Sequence, residues 1–452
     1  MLYRIKQITR IPLKTLSYIV GVWGIINVLN RIFLKFGFYS DVPYWFPISI
    51  FSGPVFHLYG LPFVLMFLII LMFSVKIVKK LNIYHIWMIG FFLIILGNLG
   101  QGNVDSAFLK PFYESGMQYY HDAIKISDWI NWTSNFNINQ AGLLTHTKTH
   151  PPFAILIHYF LLKISGGDIL FLSFGFILLS SLSIIFVGKI FETIGIAKEK
   201  VKLITLLFSV LPAINIYSAV SLDGVILTGS VLFLYGLLKI LTENKISKPG
   251  LLYAISGIVF TNLLSFGGIF FIAVFFIQSV VSYYYKKESA TSYTFGITLT
   301  VLIILLVLLN AFFNYNHIDA LLNASKSENP NGFRGIYDPL NYIATRLECI
   351  TEILLFLSLG FLAVIFHPKM LNISHSDFRI PEVSLFFSAI FILILFFISG
   401  AFYTGETARA TMFIYPYFLF LLVNTKDELI SDLIKFAGIQ TACMQLFGSY
   451  FW

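Results

Sequence analysis

Three carboxylates, two histidines and a lysine in one polar interval are the side chains of this sequence best suited to do chemistry. Between Gly100 and Pro152 the chain carries Asp105, Glu114 and Asp122, followed by His146, Lys148 and His150. A carboxylate or histidine held within hydrogen-bond reach of a hydroxyl can serve as a general base. Asp105 is the first choice for that role, because it follows the glycine-rich turn Gly100-Gln101-Gly102-Asn103, where the backbone can approach a ligand closely. Glu114 and Asp122 are the alternatives, and solvated loop charge is the plain account of all three. His146 and His150 stand at a spacing a metal could use, but Pro151 favours extended backbone at His150, so the two need not share a helix face. The three basic residues are read instead as cationic or donor groups for a phosphate, with Pro151 and Pro152 opening the next helix where a missing N–H costs nothing. A helix cap with solvated neighbours is the competing account.

A second constellation, Thr404-Gly405-Glu406-Thr407-Ala408-Arg409, comes late in the chain. Arg409 could hold a phosphate oxygen, and pairing between Glu406 and Arg409 is the plain alternative, since either charge is expensive to keep alone at a membrane helix end. Asp223 has an ordinary explanation as a charge at a helix N-terminus. Arg334 and Arg346, with Lys326, are further phosphate candidates.

The elements that must position these residues are apolar. With 58% hydrophobic and only 12% charged residues, the chain is a polytopic membrane protein rather than a soluble domain. The net charge of +8 sits in short runs between apolar segments, as orientation signals do, and implies no nucleic-acid partner. Cys349 and Cys443 indicate neither a disulfide framework nor a thiolate metal site.

Spans of about 20 apolar residues, oriented so that Lys and Arg fall inside, order the chain. A basic N-terminus (Arg4, Lys6, Arg10, Lys14) precedes a first span, and residues 41–59, broken by Pro43, Pro47 and Pro54, read as a re-entrant segment. Two spans then flank Lys76, Lys79 and Lys80, and the second delivers 100–152 to the outer face. Residues 151–164 are expected as an amphipathic helix on the outer leaflet, which keeps Lys198, Lys200, Lys202 and later Lys369 inside. The expectation is an all-α protein with about 12–13 transmembrane helices and amphipathic helices in a large first outer loop. It divides into an N-terminal part (1–82), a catalytic membrane module (83–425) and a C-terminal segment (426–452) that supplies a last helix. Charges are expected at span ends, with Asp105, Glu114, Asp122, His146, Lys148, His150, Asp223, Glu406 and Arg409 on the outer side.

The acidic first loop, Tyr119-x-x-x-Ala123, His150-Pro151-Pro152 at a helix entry, the Pro212-to-Asp223 turn and Gly405-Glu406-x-x-Arg409 occur in an order that resembles the polyprenyl-phosphate-dependent glycosyltransferases of the GT-C fold. The nearest groups are the dolichyl-phosphate-mannose protein mannosyltransferases and the bacterial aminoarabinose transferases that modify lipid A, with prokaryotic membrane relatives; the resemblance covers roughly residues 83–425. It implies inverting transfer of a sugar from a polyprenyl-phosphate carrier to a glycan, lipid or protein acceptor, at the outer face of a prokaryotic plasma membrane. A loop carboxylate, here Asp105, would act as base. Lys148, His150 and Arg409, or a divalent cation (Mg or Mn), would meet the phosphate, with His146, Glu406 and Arg334 beside them. The alternative from another class is a transporter or flippase of lipid-linked or anionic solutes, or a non-catalytic envelope-assembly subunit.

Overall fold

A chain that must satisfy its own backbone hydrogen bonds away from water has the helix as its simplest solution, and in the computed structural model all regular elements of the described residues are helical. Described are residues 8–46, 53–243, 245–287, 289–367, 378–402 and 405–450. Arg4, Lys6, Lys369, Thr404 and the 47–52 part of the proposed re-entrant segment lie outside them. The principal helices are α1 (Leu13–Lys35), α2 (Leu61–Ile77), α3 (Ile83–Leu99), α4 (Pro152–Ser165), α5 (Ile169–Ile194), α6 (Lys198–Val210), α7 (Leu222–Glu243) and α8 (Lys248–Leu264). After them come α9 (Ile269–Lys286), α10 (Ala290–Phe313), α11 (His317–Glu328), α12 (Pro339–Leu357), α13 (Leu359–Ile365), α14 (Pro381–Ser399) and α15 (Asp427–Phe447).

Among the described residues seven helices are long and apolar enough to cross a membrane, or eight if α12 and α13 are one span bent by 105°. The protein is therefore a multi-pass membrane protein with fewer full-length spans than the twelve or thirteen apolar runs imply. The difference has local causes. Pro212 lacks an N–H and divides the run 203–220 into α6 and a short helix, Pro212–Tyr217. The run 409–424 breaks into the short turns Thr407–Ala410, Met412–Ile414 and Tyr415–Leu419. Helices α3 and α8 have 17 residues each, about 25 Å of rise against a hydrocarbon layer of about 30 Å. In α15, Asp427, Glu428, Asp432 and Lys435 charge the first half.

Helix α4 follows the proline pair as expected and buries Ala154, Ile155, Leu156, His158, Tyr159 and Leu162. Gly166 and Gly167, at φ of +67° and +94°, turn the chain sharply into α5. The basic loops meet at one end of the bundle. Arg10 pairs with Asp432 at 2.9 Å and Lys79 with Asp427 at 2.7 Å, while the Lys202 ammonium donates to the Lys79 carbonyl. Exposed pairs of this kind add little stability but fix the register of the loops. Among the described residues the 100–152 interval shares no such contact.

Helices α7 and α8 pack backbone to backbone. A Cβ on Gly236 would fall against the Ala254 nitrogen and the Gly250 carbonyl, and one on Gly257 against the Phe233 backbone. Small residues that let two backbones touch are the usual adhesive where apolar burial gives no net drive between helices. Gly257→Ala should lower the thermal midpoint in detergent, at a cost of about 1–3 kcal/mol for overpacking. Gly296→Ala on α10, where nothing stands within 4 Å, should leave the midpoint unchanged or raise it slightly. Equal midpoints for the two variants would contradict the close packing.

Candidate functional site

Arg409 lies at the centre of the most concentrated group of charges. The turn Thr407–Ala410 presents it, and its side chain is only 10% exposed. Its Nη2 is 2.6 Å from Glu406 Oε2 and its Nε is 3.3 Å from Asp223 Oδ2. Asp223 opens α7, and its Oδ2 also accepts from the Ser221 hydroxyl at 3.0 Å. The Glu406–Arg409 pair, the plain alternative in the sequence, is present, and the carboxylate assigned only to a helix end completes a three-membered cluster.

The histidines of the first polar interval come to the same place. His146 belongs to the short helix Thr145–Lys148, and His150 lies just beyond it. The buried Tyr119 ring packs against both, with centroids 5.9 Å from His146 and 5.4 Å from His150. His150 Nδ1 lies 3.0 Å from the His146 carbonyl, which can only accept, so this contact favours the proton on Nδ1 and leaves the lone pair on Nε2. Burial pushes the His146 imidazolium to lower pKa, and Arg409 and His150 add to the effect. His150 is lowered by burial too, against an opposing pull from Asp223. Both rings are thus neutral near pH 7, and the positive charge beside them comes from Arg409 rather than from imidazolium. Burial also raises Glu406, with Arg409 acting against it.

The backbone at Lys148 is held by a scaffold of amides. Gln140 donates to the Lys148 carbonyl and to the Ala320 carbonyl, both at 2.9 Å, and receives the Asn323 amide at 3.3 Å. These bonds hold the first half of α11 against the segment that carries Lys148, and Glu328 at the other end of α11 interacts with Lys148. Burial raises the Glu328 carboxyl, and Lys148 and Arg334 counter it. Arg334 itself stands 3.6 Å from Asp41.

The three loop carboxylates separate into different environments. Asp122 is 6% exposed; its Oδ2 accepts the Leu144 N–H at 3.0 Å and its Oδ1 the Lys125 ammonium at 3.1 Å, so it braces the loop. Asp105 is 42% exposed at the start of a π-helical turn, Asp105–Leu109, and its Oδ1 accepts the Tyr113 hydroxyl at 2.8 Å. Lys110 lies 3.8 Å from Asp105 and 3.3 Å from the exposed Glu114. Behind Asp105 runs a buried amide network: Gln101 bonds Gln445 at 2.7 Å, Gln445 bonds Asn215 at 3.2 Å, and the Tyr450 N–H donates to Gln101 at 3.1 Å. Tyr450 packs against Tyr217 and Phe356. No direct bond joins Asp105 or Glu114 to the Arg409 cluster among the described residues.

Glu348 and Glu352 have no counterpart in the sequence reading. One helical turn apart on α12, both fully buried, they accept the N–H groups of Gly405 (3.2 Å) and Thr407 (2.9 Å). The expectation that charges keep to span ends fails here. The signal was present: two glutamates four residues apart in an apolar helix are costly unless something binds them. Cys349 is buried and Cys443 exposed, both as free thiols. Among the described residues no three His, Cys, Asp or Glu side chains converge as metal donors. Comparison with family models, with curated proteins and with solved structures returned no match.

The neutral histidines set a pH dependence of stability. Their folded pKa values lie below the ordinary 6.5, so the unfolded chain binds more protons as the pH falls through 6.5, and stability drops in acid. The melting midpoint should be level from pH 8 to 6.5 and decline below it, by up to about 1.4 kcal/mol per pH unit for each proton taken up. His146→Gln with His150→Gln should flatten the decline relative to wild type; an identical pH profile in the double variant would show that the two rings do not cause it.

Proposed function

We propose that this protein is an integral membrane glycosyltransferase that moves a sugar from a polyprenyl-phosphate donor to an acceptor hydroxyl at the outer face of a prokaryotic plasma membrane. The observation that carries the reading is Arg409, a nearly buried guanidinium braced by Asp223 and Glu406 and flanked by neutral His146 and His150. Such a fixed cation suits the phosphate of a lipid whose tail lies along the apolar bundle. The order of motifs along residues 83–425 supports the same reading through its likeness to GT-C enzymes.

In the proposed reaction a base removes the proton of the acceptor hydroxyl as its oxygen attacks the anomeric carbon. The bond from that carbon to the phosphate oxygen breaks, and its electron pair leaves with the phosphate. Arg409 and Lys148 neutralise the charge that develops. Asp105 is the preferred base, accessible and oriented by Tyr113; Glu114 is the alternative, whereas both oxygens of Asp122 are occupied in holding the loop. The acceptor is a glycan, lipid or protein.

A second reading has its own observation. The 105° break between α12 and α13, with Glu348 and Glu352 buried beside it, is a feature of transporters whose broken helices carry ion or substrate sites. The deciding assay uses purified protein in lipid, a panel of radiolabelled polyprenyl-phosphate sugars, and Asp105→Asn, Glu114→Gln, Asp122→Asn and Arg409→Gln. Transfer by wild type, with Asp105→Asn slowed by about 10² to 10⁴ fold and Arg409→Gln by about 10² to 10³ fold, supports the enzyme. No consumption of any donor, together with movement of a lipid-linked solute across the vesicle membrane, supports the transporter. Neither activity leaves the assembly subunit.

A further inference from the structure

Glu348 and Glu352 are expensive residues to keep fully buried, and the loop they touch is the one that carries Arg409. The i, i+4 spacing puts both carboxylates on one face of α12. Glu348 reaches the Gly405 amide, before the turn, and Glu352 reaches the Thr407 amide at its first residue, with the Ala408 amide also directed at it. Glu406 and Arg409 lie between and just after these anchor points. Gly405 sits at φ +75°, a left-handed conformation that lets the chain enter the turn while its N–H faces Glu348. The turn has only four residues and cannot hold its own N-terminal amides, so an acceptor from another helix must do so. Facing this pair are Tyr217 and Tyr415 from the neighbouring segments, Cys349 on α12 itself, and Glu406 from the loop.

We infer that Glu348 and Glu352 are positioning residues whose carboxylate-to-amide bonds fix the 405–410 segment, and so fix the direction in which Arg409 presents its guanidinium to an anionic group. The inference rests on the proposed role of Arg409 only for the identity of that anion. What the segment needs from the pair is an acceptor oxygen at each anchor point. A glutamine, which keeps a carbonyl oxygen and drops the charge, therefore serves at Glu352, and an alanine does not.

The test compares Glu348→Ala, Glu352→Ala, Glu352→Gln and Arg409→Gln with wild type in lipid nanodiscs. The first readout is amide hydrogen exchange over residues 405–411; the second is binding of a polyprenyl monophosphate with no sugar attached. Expected is exchange faster by about tenfold or more in Glu352→Ala and Glu348→Ala, with exchange elsewhere unchanged and Glu352→Gln close to wild type. Polyprenyl phosphate should bind about tenfold more weakly to Glu352→Ala and to Arg409→Gln, and within about threefold of wild type to Glu352→Gln. Wild-type exchange in Glu352→Ala, or a glutamine variant as mobile as the alanine, would overturn the inference. Failure of wild type to bind polyprenyl phosphate would instead count against the phosphate reading, with the exchange result still deciding the role of the pair.

Discussion

The structure depends on one constraint: charge taken out of water has to be matched by partners at short range. Arg409 is almost enclosed, and a guanidinium in such surroundings without neighbouring carboxylates would cost several kcal/mol. Glu406 and Asp223 meet that demand from two separate parts of the chain, one in the same turn and one at the start of α7. Because Asp223 is some two hundred residues away in sequence, the pairing also fixes where α7 begins relative to the late turn.

The same constraint explains the surroundings of the cluster. With Arg409 close by and little water, His146 and His150 are held neutral, which makes them donors and acceptors rather than charges. Tyr119 packs between them and fixes the ring orientations. Asp122 acts at a distance: by gripping the Leu144 amide it closes the loop that leads to His146. The carboxylates of α12 extend the pattern to the backbone. Their hydrogen bonds are made to main-chain amides that have no helical partner, so a buried acid is matched by donors that themselves need an acceptor.

The opposite end of the bundle is organised by different physics. There Lys and Arg side chains are exposed, and their pairs with Asp427 and Asp432 are solvent-screened. A cluster of charges is thus informative at one end and ordinary at the other, and burial is what separates them.

Much of this was legible in the chain. Hydrophobic composition determined the membrane class, the pair Pro151-Pro152 marked the start of α4, and the polar types at Glu406, Arg409, His146 and His150 marked the candidate site, because these depend on local chemistry and spacing. The number of full-length spans was not legible, since apolar runs that α3 and α8 leave short of the bilayer look the same in sequence as those that cross it. Nor was the split among the loop carboxylates: Asp105, Glu114 and Asp122 are equivalent as letters, and only folding buries Asp122 against Leu144 while leaving Asp105 open. The sequence by itself determined a helical membrane protein with an acidic and histidine-rich interval. Only the tertiary structure decided that Asp223 meets Arg409 and that Glu348 and Glu352 hold its turn, because partners for buried charges are chosen by proximity in space, which spacing along the chain does not encode.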